Sequence, residues 1–321
     1  MGQTWDSEIK EHLRLVDEMM EASIISCQPE LTNLCRHVLS SGGKRIRPGI
    51  CILSFFAAGG KDADRVIRIA TAFELIHSAT LIHDDINDDS EIRRGRATAH
   101  NLYSVPKAII AGDFLFVQGF RLGGVMEEPV INFIADACNS MAESEFVQLD
   151  YEGKPETSVD TYLEIIEGKT ARPIEAGARV GAFMAEAEPE VIEALGGFGL
   201  NVGLAFQIAD DILDVEGEKV STGKEPGIDI LEGKPTLPLI LAMEDPEKGL
   251  GIRRIFAQKE KSEADVEEAL RLIRSTDAIE KSKAYALEFV NKAKEYLDKI
   301  PPSVYRESLF RLADYVVERT R

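Results

Sequence analysis

Residues 82–88 read IHDDIND and residues 208–214 read IADDILD, so the chain carries the pattern I-x-D-D-I-x-D twice. On a helix with about 3.6 residues per turn, Asp84 and Asp88 lie about 40° apart around the axis and about 6 Å apart along it. Both carboxylates therefore project from one side of the helix. The second copy has the same spacing, so the sequence predicts two similar helices that each carry a row of carboxylates.

The rest of the chain also follows a helical pattern. Apolar residues recur at helical spacing almost throughout, for example at Leu13, Val16 and Met20. Proline and glycine pairs divide the sequence into ten or more segments of helical length. No clear hairpin signal, long polar linker or internal solenoid repeat is present. The sequence therefore predicts one all-α domain over residues 1–321.

Composition excludes several classes of function. Hydrophobic residues make up 44% of the 321 residues and charged residues 29%, which is typical of a folded globular protein. The formal net charge of −19 argues against a nucleic-acid partner or an anionic membrane surface, because both require an excess of Lys and Arg. Any phosphate-binding site must therefore be local.

Cysteine spacing and hydropathy indicate where the protein works. None of the cysteines forms a CxxC pair, so neither a zinc site nor a disulfide framework is indicated, and we expect reduced thiols in the cytoplasm. No apolar run approaches the roughly 20 residues of a membrane-spanning helix, and the longest candidate, residues 108–120, is interrupted by Gly112 and Asp113. We therefore expect no transmembrane segment. The four cysteines are Cys27, Cys35, Cys51 and Cys138.

The paired carboxylates predict a divalent cation. Clustered carboxylates repel one another unless a cation neutralises them, and Mg²⁺ prefers oxygen ligands. Because Mg²⁺ usually takes one or two protein carboxylates and leaves its other positions to water and phosphate, two such clusters would hold several ions around one diphosphate. A single cluster would more often be a solvated helix surface, but duplication among apolar neighbours favours a site. An EF-hand is disfavoured, because its required Gly and Glu are replaced by Asp89 and Gly95.

Basic residues are the second feature of the sequence that indicates a phosphate-binding site. Residues 42–48 read GGKRIRP, and residues 93–95 read RRG just after the first acidic motif. Glycines let the backbone approach a ligand closely, and Lys and Arg donate charge-assisted hydrogen bonds to phosphate oxygens. A basic loop that merely caps a helix is the alternative. Lys169-Thr170, Lys224 and Lys234 are further candidates, although a single lysine is more often an ordinary surface residue.

Together these motifs resemble the trans-prenyl diphosphate synthase family, in the family's order and spacing. The segments that carry the resemblance are GGKRIRP, LIHDDINDDSEIRRG, GKT, FQIADDILD and GKEPGIDILEGKPTLP, and it runs from about Lys44 to the C-terminus. It implies the isoprenoid synthase fold, a single-domain antiparallel helical bundle around a central active-site cavity. It also implies a homodimer.

The resemblance also implies roles for particular residues. Isopentenyl diphosphate would bind Lys44, Arg47, His77 and Arg94. The allylic prenyl diphosphate would contact Arg93, Lys169, Thr170, Gln207, Lys224 and Lys234. Three Mg²⁺ ions would be held mainly by Asp84, Asp88 and Asp210, with Asp85, Asp211 and Asp214 as outer or secondary ligands. For His77 alone, a hydrogen-bonded core histidine would be the simpler interpretation.

The implied reaction is ionisation of the allylic diphosphate, attack on the cation by the isopentenyl double bond, and loss of a proton. Side chains one turn before Asp84 would line the tunnel for the growing chain, and here they are the small residues Ala79 and Thr80. Bulky aromatic residues at these positions restrict relatives to short products, so we expect a product longer than geranylgeranyl diphosphate. Candidates for the end of the tunnel are Phe116, Phe120 and Phe133, for which simple core packing is the alternative.

Three other interpretations remain at this stage. A short-chain farnesyl or geranylgeranyl diphosphate synthase would share every motif and differ in the tunnel. A class I terpene cyclase also uses an aspartate-rich helix and Mg²⁺, but it needs no site for a second substrate. A catalytically silent subunit of a heteromeric synthase would be expected to lose metal ligands, whereas all six motif aspartates are present.

Overall fold

The computed structural model describes residues 3–124, 126–217 and 226–318, and these are almost entirely helical. The helices are α1 Lys10–Ser23, α2 Pro29–Leu39, α3 Ile46–Ala57, α4 Asp64–Asn87, α5 Ala99–Leu102, α6 Val105–Gly123, α7 Glu128–Tyr151, α8 Val159–Ile166, α9 Arg172–Met184, α10 Pro189–Glu216, α11 Ile228–Glu232, α12 Leu237–Met243, α13 Gly249–Phe256, α14 Glu263–Arg274, α15 Ala278–Leu297 and α16 Val304–Glu318. A 3₁₀ turn, Ser7–Ile9, precedes α1, and a π-helical turn, Glu167–Ala171, joins α8 to α9. The all-α prediction is confirmed.

Local sequence explains where several helices begin. Pro29 and Pro189 are the first residues of α2 and α10, a position where the missing N–H of proline costs no hydrogen bond. Before α14, the Ser262 hydroxyl accepts a hydrogen bond from the Asp265 backbone N–H, and the Asp265 carboxylate accepts one from the Ser262 backbone N–H. This reciprocal pair satisfies two backbone donors at the helix start.

Contacts within the chain divide it into two compact units. The first comprises Met1–Phe133, Gly177–Leu195 and Ile300–Leu309. The second comprises Ile134–Ala176, Gly196–Lys299 and Phe310–Arg321. The expectation of one domain over the whole chain stays a prediction.

Helix α4 is the centre of the first unit. It is buried on nearly every side and packs against α1, α3 and α6. Glycines let α6 approach α4 closely, since a Cβ atom at Gly119 would lie 2.9 Å from Ile76 Cγ1 and 3.2 Å from the Ala72 carbonyl oxygen. This close packing fixes the position of the first acidic motif at the C-terminal end of α4.

In the second unit the core lies around α12, whose seven residues are all buried. Helix α12 packs against α8, α13, α14 and α15. Helix α10 approaches the π-helical turn through Gly203, where a Cβ atom would lie 2.5 Å from Ala171 Cα. The second acidic motif lies near the C-terminal end of α10, two turns beyond this contact.

A short hairpin corrects the expectation that no hairpin signal is present. Strands β1, Ile92–Arg93, and β2, Arg96–Ala97, pair antiparallel. The two residues of the turn, Arg94 and Gly95, both have positive φ angles, 51° and 72°. Such a turn matches the twist of paired strands, and Gly95 was the only sequence signal for it.

One helix also corrects the hydropathy analysis. Helix α10 has 28 residues, and its most apolar window has a mean hydropathy of 1.4, so length and composition alone would let it span a membrane. The earlier choice of residues 108–120 overlooked it. However, 61% of that window is buried inside the protein, as in the core helix of a globular fold.

Candidate active site

The basic loop, residues 42–48, and helix α4 place several guanidinium groups around His77. Arg47 Nη1 lies 3.2 Å from His77 Nε2. Because arginine can only donate, Nε2 must be the acceptor, and the ring is then neutral with its proton on Nδ1. Burial lowers the pKa of His77 well below its ordinary value of 6.5, and nearby guanidinium groups lower it further. Those groups belong to Arg47, Arg94, Arg93 and Arg45.

Arg45, which the sequence analysis did not single out, anchors this loop. Its guanidinium donates to the buried Glu74 carboxylate at 2.8 Å and to Asp17 at 2.8 Å. Its backbone has a φ of 51°, a left-handed conformation that non-glycine residues adopt only when the surroundings enforce it. The two ion pairs supply that constraint. They hold the exposed Lys44 and the half-buried Arg47 on either side of Arg45.

Hairpin residues join the loop to the first acidic motif. Arg93 Nε donates to the Asp85 carboxylate at 2.5 Å, and Asp85 is buried. Arg94 donates to the carbonyl oxygen of Gly42. Asp84 lies in the last turn of α4 and Asp88 directly follows its last residue, and both are half-buried. The structure thus brings together the basic residues expected for isopentenyl diphosphate, and it gives Asp85 an arginine partner.

The second acidic motif is held by a chain of hydrogen bonds. Thr170 Oγ1 donates to Gln207 Oε1 at 2.8 Å, and Gln207 Nε2 donates to Asp211 Oδ1 at 2.9 Å. The other Asp211 oxygen accepts from the Tyr162 hydroxyl at 2.6 Å. Burial raises the pKa of Asp211 to about 7, partly offset by these two donors and reinforced by its acidic neighbours on α10. The network fixes Asp211 inside the protein, between Asp210 and Asp214.

Asp214 and Asp229 extend this acidic region. The Asp214 oxygens accept from the backbone N–H groups of Ile228 and Asp229 at 3.2 and 3.3 Å. Burial raises the pKa of Asp229 well above its ordinary value, and Asp214 and Asp211 raise it further. Lys234, which lowers it, lies 2.8 Å from the Glu232 carboxylate. Asp229 is thus a further acidic residue beside the predicted metal ligands Asp210, Asp211 and Asp214, and the sequence analysis missed it.

Lys169 lies in the π-helical turn beside α7. Its ammonium pairs with Glu145 and donates to Gln148 Oε1 at 3.1 Å. Single π-helical turns occur frequently at functional sites. Lys224, also predicted to contact the allylic diphosphate, lies outside the described residues.

The donor chemistry of both motifs fits a hard divalent cation. In residues 3–124, 126–217 and 226–318, no group of three or more His, Cys, Asp or Glu side chains is placed to hold a metal ion. Mg²⁺ is suited to such places, because it takes few protein ligands and shares phosphate oxygens. The raised pKa of Asp211 reflects, beyond its burial, acidic neighbours that a cation would neutralise. Asp84, Asp88, Asp210 and Asp214 are half-buried carboxylates suited to this role.

The residues expected to set product length lie on α4, α6 and α7. Ala79 is fully buried, and Thr80 is half-buried with its hydroxyl donating to the His77 carbonyl at 2.8 Å. The rings of Phe116 and Phe120 lie 5.1 Å apart, and Phe120 is on the exposed side of α6. The Arg179 guanidinium lies over the face of the Phe133 ring. Their role in ending the tunnel stays a prediction.

Comparison with known proteins identifies the family. The polyprenyl synthetase family model matches residues 28–273, so the likeness begins before Lys44, where the motifs first indicated it. A short chain isoprenyl diphosphate synthase of Methanothermobacter thermautotrophicus is 38% identical over 97% of this chain and 97% of its own. An all-trans-nonaprenyl-diphosphate synthase (geranyl-diphosphate specific) of Rhodobacter capsulatus is 36% identical, over 95% and 94%.

A solved structure gives the same result. The polyprenyl synthase of Caulobacter crescentus, complexed with calcium and isoprenyl diphosphate, matches with a TM-score of 0.94 and 35% identity, over 99% of this chain and 97% of that one. The chain therefore belongs to the polyprenyl synthetase family of prenyltransferases and has the all-α isoprenoid synthase fold. Members of the family use divalent metal ions.

Proposed function

We propose that this protein condenses isopentenyl diphosphate with an allylic prenyl diphosphate to give an all-trans polyprenyl diphosphate longer than geranylgeranyl diphosphate. The observation that carries the proposal is the arrangement within the first unit. A cluster of guanidinium groups around a neutral His77 adjoins the carboxylate row of α4 through the Arg93–Asp85 ion pair. A chain elongase needs both parts, because it binds two diphosphates and ionises one of them.

The basic cluster is suited to isopentenyl diphosphate. Lys44, Arg47 and Arg94 would neutralise the diphosphate charge, and Arg forms paired hydrogen bonds to phosphate oxygens. His77 would contribute a hydrogen bond as a neutral ring, since burial and its cationic neighbours oppose its protonation. This diphosphate is not the leaving group, so it needs charge neutralisation and no activation.

The allylic diphosphate would be bound by a set of cationic and polar groups. These are Arg93, Lys169, Thr170, Gln207, Lys224 and Lys234. Asp84, Asp88 and Asp210 would hold three Mg²⁺ ions on it, with Asp85, Asp211 and Asp214 supporting them. Bound Mg²⁺ would supply Lewis-acid stabilisation of the leaving diphosphate.

The bond changes follow from this arrangement. The allylic C–O bond breaks, and its electron pair leaves with the diphosphate, whose charge Arg93 and Lys169 stabilise. The isopentenyl double bond then attacks the allylic cation and forms the new C–C bond. Loss of a proton restores a double bond, and we assign the departing diphosphate as its acceptor. Apolar side chains around the cation must exclude water, which would otherwise capture it.

The experiment is an elongation assay with radiolabelled isopentenyl diphosphate, Mg²⁺ and allylic starters of increasing length, followed by mass spectrometry of the products. We expect labelled chains beyond geranylgeranyl diphosphate. Asp84→Asn should reduce turnover by at least about a hundredfold through lost metal binding, whereas Asp89→Asn, an exposed neighbour, should not. No incorporation of label would favour a cyclase, and turnover only after adding a partner protein would favour a regulatory subunit.

The names of the relatives range from short-chain to nonaprenyl synthases, so they do not decide the product length of this chain. The long-chain proposal therefore rests on Ala79 and Thr80. Small side chains at these positions leave room for a growing chain. A product no longer than geranylgeranyl diphosphate from every starter would contradict the long-chain proposal and leave the prenyltransferase assignment intact.

The same reasoning extends to the assembly and the compartment. One side of α6 carries exposed apolar residues that water would cover unfavourably, and we assign it to the interface of a homodimer. The four cysteines are unpaired, which supports a reducing, cytoplasmic compartment. The exposed residues are Val105, Ile109, Ile110, Val117 and Phe120.

A further inference from the structure

The surroundings of Lys169 are more specialised than its motif suggests. The π-helical turn brings its backbone against α7, and Gly168 makes the contact possible. A Cβ atom at Gly168 would lie 2.8 Å from the Ser140 carbonyl oxygen and would overlap the Ser144 side chain. Neither partner of Lys169 on α7 belongs to a motif that the sequence analysis singled out.

Those partners are Glu145 and Gln148, and together they orient the ammonium. An ammonium has three N–H donors. Glu145 takes one of them in a close ion pair and Gln148 Oε1 takes another at 3.1 Å. The third N–H group points away from both partners, and it is the one that would donate a hydrogen bond to a diphosphate oxygen.

The same contact fixes the orientation of the Gln148 amide. Lysine cannot accept a hydrogen bond, so the amide atom facing Lys169 must be the oxygen. The amide nitrogen therefore points elsewhere. Gln148 is only 8% exposed, and its Nε2 atom has no hydrogen-bond partner among the residues that the structure describes.

A buried amide nitrogen without a partner is unfavourable, because it has lost its hydrogen bonds to water and gained none. Such groups in folded proteins call for an explanation, and an absent ligand is one. The nitrogen shares its carbon with the oxygen that holds Lys169. A polyanion that reaches the ammonium therefore lies within one side-chain width of this donor.

We propose that Gln148 is a further substrate-binding residue, whose carbonyl oxygen orients Lys169 and whose amide nitrogen donates to an oxygen of the bound diphosphate. The inference rests on the proposed function, which makes Lys169 a diphosphate ligand. It adds one more neutral group to the site, beside the charged groups that bind the diphosphate. It also gives Gln148 two roles that substitution can separate.

The separating variant is the double substitution Glu145→Gln with Gln148→Glu. The exchange conserves the charge and keeps an acceptor on each side of Lys169, but it replaces the Gln148 donor by a carboxylate. Binding of inorganic pyrophosphate in the presence of Mg²⁺ is measured by isothermal titration calorimetry on the full chain. We expect a dissociation constant raised at least about tenfold, as for loss of one hydrogen bond to a charged group.

The control is Asn139→Asp, nine residues earlier on α7 and about 180° around the helix, at an exposed position. It adds a negative charge to α7 without touching Lys169, and we expect unchanged affinity. Thermal melting checks that each variant folds. If the exchange does not fold, Gln148→Met, which removes the amide oxygen and the donor together at similar volume, is measured in its place, and we expect at least the same loss.

Wild-type affinity in the exchange variant, or in Gln148→Met where the exchange does not fold, would overturn the role of Gln148 as a donor and leave the proposed function intact. Failure of the wild-type protein to bind pyrophosphate with Mg²⁺ would instead overturn the diphosphate site itself. In either case the two hypotheses are distinguished by the same titration.

Discussion

At the scale of single residues, charge state is decided by neighbours more than by residue type. His77 lies among guanidinium groups and is held neutral, whereas Asp211 is buried among carboxylates and its pKa rises to about 7. In both cases burial is the largest cause, because it disfavours the charged form. Burial therefore favours the neutral form of one imidazole in the basic cluster and of one carboxyl group in the second acidic motif.

His77 should make stability depend on pH. The unfolded chain takes up a proton on this ring near pH 6.5, whereas the folded protein resists protonation until a much lower pH. The free energy of unfolding should therefore fall as pH drops below 6.5, by up to about 1.4 kcal/mol per pH unit from this group. His77→Gln should reduce that slope in denaturant titrations between pH 7 and 5. Equal slopes for the two proteins would contradict the assignment.

Ala79 tests the tunnel at the same scale. Replacing it by Phe places an aromatic ring one turn before Asp84, where it should block the growing chain. We expect products of Ala79→Phe to be shorter by at least one isoprenyl unit in mass spectra, with starter ionisation retained. Ala79→Ser, which keeps the side chain small, should leave product length unchanged. An unaltered product distribution from a folded Ala79→Phe protein would remove Ala79 from the tunnel.

At the scale of elements, glycines decide how closely helices approach and so where functional groups lie. Gly119 sets the distance between α6 and α4, and Gly203 sets that between α10 and the π-helical turn. The second contact lets Thr170 reach Gln207, which in turn holds Asp211. The sequence motifs thus depend on contacts made by residues outside them.

Gly203→Ala should disturb this arrangement. The new methyl group would lie 2.5 Å from Ala171 Cα, so backbone must move, and overpacking of this kind costs about 1–3 kcal/mol of stability. Chemical denaturation should show that loss, and pyrophosphate affinity should fall with it. Gly177→Ala is the matched control, because its methyl group would meet ordinary contacts at 3.8 and 3.9 Å. Equal stability of the two variants would show that α10 has room to adjust.

At the scale of the whole molecule, the net charge of −19 and the local basic cluster have different effects on binding. The overall charge disfavours binding to other polyanions, whereas Lys44, Arg47 and their neighbours would attract one small diphosphate under the proposed function. The exposed apolar side of α6 is a further feature at this scale. It is the largest such row on one helix of the described residues, and a second copy of the chain would cover it.

Val117 tests that interface. It is 59% exposed on α6, and an aspartate there would place a charge within the proposed apolar contact. We expect the wild-type chain to sediment as a dimer and Val117→Asp to shift toward the monomer by at least about tenfold in dissociation constant. Arg68→Asp, an exposed position on α4, should remain dimeric. A wild-type chain that sediments as a monomer would contradict the dimer directly.

The sequence by itself determined the helical class, the two carboxylate rows, the basic segments and the family, because each is a local pattern of residue types at fixed spacing. Its proline and glycine pairs also divided the chain into segments of helical length. It missed the hairpin around Arg94, whose turn rests on a single glycine, and it overlooked the length of the apolar helix α10.

Only the tertiary structure decided which residues support the motifs. Tyr162 meets Asp211 across 49 positions of sequence and Gln148 meets Lys169 across 21, and neither pair leaves a pattern in the chain. A buried tyrosine or glutamine on an amphipathic helix looks like any core residue until its partner is known. The physical reason is that hydrogen bonding and charge state depend on distance in space, which helix packing sets and which spacing along the chain does not reveal.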